Sequence, residues 1–131
     1  MTIDISNAET INTKSINFHD DVLLSLKFDR ETKMMELEIK KHTDSHAVSM
    51  KFINVAVFSM TACDFWGKSE RICGFDYLKT EDRKLLPRLK HEWDESPHIE
   101  TSFLYDDYME VVMVFISGDK LRILCEKIEI D

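Results

Sequence analysis

From Val22 the chain alternates between apolar and polar positions. Val22, Leu24, Leu26 and Phe28 share one phase, and Leu23, Ser25 and Lys27 the other. After the five polar residues Asp29 to Lys33 the pattern returns, with Met35, Leu37 and Ile39 set against Glu36, Glu38 and Lys40. Two period-2 runs around a polar loop predict a hairpin with one buried and one wetted face. His42 to Ser45 predicts another polar turn. Val48, Met50 and Phe52 then keep one phase while Val55 and Val57 take the opposite one. That change predicts a bulge or bend at Ile53-Asn54, and Cys125 followed by Ile128 and Ile130 shows a second shift near Glu126-Lys127.

The C-terminal third carries the densest apolar signal. Val111 to Ile116 is apolar on both faces and is joined across Ser117-Gly118-Asp119 to a run containing Leu121, Ile123, Leu124 and Cys125. Such a pair predicts a hairpin whose first strand is buried on both faces and lies centrally in its sheet. Arg71 to Leu78 predicts a strand with Cys73, Phe75 and Tyr77 on one face, and Ile99, Thr101, Phe103 and Tyr105 predict another. Between them, Leu85, Leu89 and Trp93 recur at helical spacing, so Thr80 to Trp93 predicts a helix, which Pro87 requires either to start near Leu86 or to kink. Residues 1–17 are rich in Asn, Thr and Ser and read as a loosely ordered lead-in, ending in a short edge strand near Ile16 and Phe18. Residues 18–131 read as a single β-rich domain. The fold class is mainly β (α+β): seven or eight mostly antiparallel strands in a curved sheet, a sandwich or a partly open barrel, with one helix.

A chain of 131 residues is long enough to bury a core without a staple. Its net charge of −8 repels phosphate backbones, which argues against nucleic acid; it suits a basic protein partner and is also a common route to solubility. The three cysteines, Cys63, Cys73 and Cys125, are odd in number and lie in or beside apolar runs, which reads as buried free thiols in a reducing compartment. No secretory signal is legible in Met1 to Asn17, and the apolar run around Phe52 to Met60 is too short for a membrane span. A cytoplasmic location without membrane association is expected.

Candidate chemistry is sparse. His19-Asp20-Asp21 reads as a turn whose carboxylates bond to backbone amides ahead of a strand. On an extended segment His42, Asp44 and His46 would project to one side, a weak candidate metal set without an evident fourth ligand. No nucleophile elbow or phosphate-cradling glycine loop is present, so no catalytic residue and no cofactor are assigned. Phe65 and Trp66 beside Gly67 form one candidate contact site. Trp93, Asp94, Glu95, Tyr105, Asp106, Asp107 and Tyr108 form a second, in which carboxylates would steer a basic partner and rings supply affinity.

His19-Asp20 before the first strand, the Lys51-Phe52-Ile53-Asn54-Val55 segment and the Phe115 to Ile123 strand pair together resemble small bacterial immunity-type proteins of polymorphic toxin systems and related β-rich domains. By strand order the similarity spans about two-thirds of the chain. It departs at the polar N-terminus and at the insertion from Thr80 to Pro97. The resemblance implies a bacterial, cytoplasmic, non-enzymatic protein that binds and blocks a partner toxin, and it carries no catalytic residues. The expected function is therefore a protein-binding module. The alternative is a small-molecule-binding protein or enzyme with a pocket in the mouth of the curved sheet. The sequence leaves oligomeric state open.

Overall fold

The computed structural model describes residues 1–13, 16–61, 70–95 and 107–131, excluding the side chains of Glu70, Trp93 and Asp94. The elements in chain order are β1 (Thr2–Asp4), β2 (Val22–Asp29), β3 (Met34–Lys40), β4 (Ala47–Ile53), β5 (Val57–Met60), β6 (Glu70–Tyr77), α1 (Leu85–Asp94), β7 (Met109–Phe115), β8 (Lys120–Cys125) and β9 (Lys127–Ile130). Among the described residues the nine strands form one antiparallel sheet in the order β1-β9-β4-β3-β2-β6-β7-β8-β5. The sheet is not closed. The strand expected over Ile99 to Tyr105 lies outside the described residues.

Curvature comes from a bent two-stranded ribbon. β4 pairs with β9 and β5 with β8, so both chains cross from one part of the sheet to the other, at Asn54 and at Glu126. Asn54 takes the left-handed backbone conformation, φ 54°, that an asparagine tolerates better than most residues. The ladder continues through the bend: Glu126 N–H donates to Ile53 C=O and Ala56 N–H to Leu124 C=O. These are the two positions where the hydrophobic phase changes in the sequence.

Met35, Leu37, Ile39, Val48, Met50 and Phe52 are buried, as their alternation requires. β7 is buried on both faces and lies between β6 and β8. One face joins the main core through Met109, Val111, Met113 and Phe115. On the other side of the sheet, Leu85 and Leu86 of α1 pack on Leu124 of β8. The β7–β8 turn uses Gly118 at φ 92°, a conformation open to glycine at no steric cost.

Three expectations need correction. β2 carries a register shift between Leu23 and Ser25, so Leu23, Leu26 and Phe28 pack on the core while Leu24 is 51% exposed. β6 shifts similarly between Ile72 and Gly74, which puts Ile72 and Phe75 inside and leaves Cys73 exposed, not buried. The N-terminal segment is tied into the domain. Thr2↔Glu129, Ile3↔Ile128 and Asp4↔Lys127 pair β1 with β9, and Ile3, Ala8 and Ile11 are buried core residues. No strand forms at Ile16 and Phe18, although Phe18 is buried and meets Phe75 edge-on at 5.9 Å.

Candidate functional site

Among the described residues two polar or charged side chains are buried, and both are carboxylates, Glu110 and Asp21. Glu110 interrupts the apolar run of β7 and points at the start of α1. Its Oε2 accepts the Lys84 N–H at 2.8 Å, and its Oε1 accepts those of Leu85 and Leu86 at 3.0 and 2.9 Å. Pro87, next in line, has no N–H to satisfy. A helix start leaves its first amides without intrahelical partners, and a negative group there also meets the positive end of the helix dipole. The helix therefore begins at Leu85, with Thr80–Asp82 as a separate 3-10 turn. Arg122 Nη1 lies 3.7 Å from Glu110 Oε2 and has no hydrogen-bond partner among the described residues.

Asp21 is the second. It pairs with Lys41 Nζ, accepts the His42 backbone N–H at 2.9 Å and lies 3.0 Å from His42 Nδ1. Burial raises its pKa, but the hydrogen bonds from Lys41 and His42 outweigh that and hold the carboxyl below its ordinary range. Lys41 Nζ also donates to Asn17 C=O and sits 5.1 Å from the Phe18 ring centroid. The cluster thus clamps the segment before β2 to the turn after β3. The turn expected at His19-Asp20-Asp21 is present, with Asp20 at φ 67°.

The clamped segment borders a cavity of about 380 Å³. Among the described residues β2 and β6 meet only at Val22↔Arg71 and Leu23↔Glu70, so beyond Arg71 the β6 edge is free of β2. Asn12 and residues 19–21 cover that edge instead. Asp20 N–H donates to Ile72 C=O, and Ile72 N–H to Asp21 C=O. Asn12 accepts the Tyr77 N–H and donates to the Tyr77 carbonyl. His19 Nδ1 lies 3.1 Å from the Cys73 carbonyl, which can only accept, so Nδ1 carries the proton. The cavity lies between these attachments, lined by Asn12, Asn17, His19, Cys73, Gly74 and Asp76 among others.

Of the sequence candidates, Glu95 and Asp107 are exposed and Tyr108 is half-buried. Burial, then the nearby charge of Glu126, pushes the Tyr108 hydroxyl pKa up. Phe65, Trp66, Tyr105 and Asp106, the side chains of Trp93 and Asp94, and Cys63 lie outside the described residues. His42, Asp44 and His46 do not converge, because 42–44 form a turn and Ser45 has φ 64°. His42 is directed to Asp21, while His46 Nδ1 bonds to Asp44 Oδ1. Among the described residues no group of three or more His, Cys, Asp or Glu side chains is placed to hold a metal ion. Cys125 is buried, and burial pushes its thiol pKa up to about 12.

Sequence reasoning missed Glu110, the pairing of Asp21 with Lys41, and the cavity. Glu110 had a legible signal, since a single charge inside a strand apolar on both faces must be buried and partnered. The cavity had none, because its walls come from residues more than 50 apart in the chain, as His19 and Cys73 are.

No helix of the described residues is long and apolar enough to cross a membrane. No family model matches the chain, and no curated protein matches it. A solved structure is similar: the crystal structure of an uncharacterized protein from Neisseria gonorrhoeae, at 14% identity, covering 100% of this chain and 97% of that one with a TM-score of 0.48.

Proposed function

We propose that the protein is a non-catalytic binding module, an immunity-like inhibitor that meets a basic partner toxin through an acidic and aromatic surface around the end of α1 and the start of β7. The observation that carries this reading is the exposure of Glu95 and Asp107 on either side of the 96–106 segment, in a chain of net charge −8. The buried ionisable groups fit it too. Asp21 and Glu110 hold the fold together, and the Cys125 thiol, with its pKa at about 12, stays protonated at neutral pH. Exposed carboxylates would accelerate encounter with a cationic surface, an effect that salt screens. The test is capture of protein partners on the purified chain at low and high salt, followed by reconstitution of the pair from purified components. A stoichiometric complex with one basic protein, weakened by salt, is expected. Failure of every captured protein to form a defined complex on reconstitution would overturn the reading.

The second reading, a small-molecule-binding protein, is favoured by one observation: the cavity of about 380 Å³ beside β6. That volume falls in the range of ligand pockets. Copurified ligand found by native mass spectrometry would favour it over the inhibitor reading.

A further inference from the structure

We propose that the cleft between Ile11, Asn12 and residues 16–19 on one side and the edge of β6 on the other binds a small ligand bearing an ammonium or guanidinium group beside a hydrogen-bond acceptor, the chemistry of a basic amino-acid unit. This deepens, and rests on, the small-molecule reading of the cavity.

The backbone of β6 supplies the first part. Leu78 N–H bonds to Glu110 C=O, and the register runs Tyr77↔Val111, Asp76↔Val112, Phe75↔Met113. Bonded and non-bonded pairs alternate along an antiparallel ladder, so Tyr77 and Phe75 turn their N–H and C=O away from β7. Those of Tyr77 are met by Asn12, and those of Ile72 by the backbone of Asp20 and Asp21. Between these two attachments, the N–H and C=O of Phe75 have no hydrogen-bond partner among the described residues on the cleft side. Phe75 is a buried residue lining the cavity. A buried donor and acceptor side by side match a ligand that presents an acceptor and a donor in return.

Gly74 supplies the second part. Its backbone is not in the left-handed region, and an added Cβ would meet only Asp76 Oδ2, at an ordinary 3.7 Å. Gly74 follows the register shift of β6 and puts no side chain into the cleft that it lines, as strand glycines do at bulges and where a ligand approaches the backbone closely.

Asp76 sets the charge. Its exposed carboxylate lines the cleft and has no ion pair or hydrogen bond among the described residues. Lys41 Nζ is held by Asp21 and Asn17. Ile11 and Phe18 give apolar wall for an aliphatic stem.

The test is a two-dimensional NMR titration of the labelled chain with three probes: N-acetyl-L-arginine methylamide, free L-arginine and the neutral N-acetylglycine methylamide. Saturable shifts of the Gly74 and Phe75 amides with an arginine probe are expected, about fivefold weaker in Asp76→Asn and absent in Gly74→Leu. Shifts with both arginine probes support a residue of a polypeptide as the source, and shifts with free arginine alone support the free amino acid. Equal binding of the neutral amide overturns the cationic class while leaving the pocket reading standing. No response to any probe overturns both. Should Gly74→Leu fail to fold, the exposed Asp76→Asn change decides, and unchanged arginine affinity in that variant overturns the proposal.

Discussion

Asn54 Nδ2 donates a 2.7 Å hydrogen bond to Glu126 Oε2, joining the two points at which the sheet bends. The residues are 72 apart in the chain, yet each occupies the break in its own strand's apolar phase. Asn54 serves twice, through its left-handed backbone and through its side chain.

Replacing Asn54 separates these roles. Asn54→Ala places an ordinary residue at φ 54° and removes the bond, and is expected to cost about 1–2 kcal/mol in urea unfolding. Asn54→Gly removes only the bond and should cost less. Equal losses in the two variants would show that the backbone conformation carries no strain.

Glu110 is the most sensitive single position. Glu110→Ala leaves the Lys84, Leu85 and Leu86 amides without their acceptor and Arg122 without the carboxylate it pairs with. A loss of about 3–5 kcal/mol is expected, the usual result of breaking a buried charged network from one side. Glu110→Gln keeps one acceptor oxygen and should lose less. Urea denaturation followed by circular dichroism gives both values, and a helical signal surviving intact in Glu110→Ala would contradict this capping role.

Asp21 makes stability depend on acid. Its folded pKa is depressed, so its contribution is fully present above the unfolded value near 3.8 and is lost as pH falls through the lower folded value. Asp21→Asn should therefore be destabilised at neutral pH, with the gap to the parent narrowing below about pH 3.8. Denaturation midpoints measured from neutral pH into acid test this, and a gap constant across that window would refute it.

Much of the fold is legible in the sequence. The alternation of β3 and β4 gives their buried faces. The doubly apolar run gives the central place of β7, and the two phase changes give the bends. Pro87 fixes the helix start near where it is found, since proline is tolerated in a first turn. Both bulges escape notice for a local reason. At Leu23-Leu24 two adjacent leucines let the apparent alternation continue across a shifted register. At Ile72-Cys73 either residue could serve the core. β1 was hidden because three residues cannot display a period and their partner strand lies at the other end of the chain. The cleft beside β6 is built wholly from such long-range pairings.

Corrected phase in β2 has its own consequence. Leu24→Ser, at the exposed bulge, should change stability by no more than about 0.5 kcal/mol. Leu26→Ala, which empties part of the core, should cost about 2 kcal/mol. Thermal unfolding of the two variants distinguishes this arrangement from unbroken alternation, which predicts similar losses at both positions.

The central claim, that an acidic surface holds a basic protein partner, is tested most directly by calorimetric titration of the reconstituted pair over a salt series, with the parent chain and with Glu95→Lys/Asp107→Lys. The account predicts one-to-one binding that weakens with salt, and about tenfold weaker binding at low salt for the double charge reversal. Binding unaffected by either the reversal or the salt would contradict it.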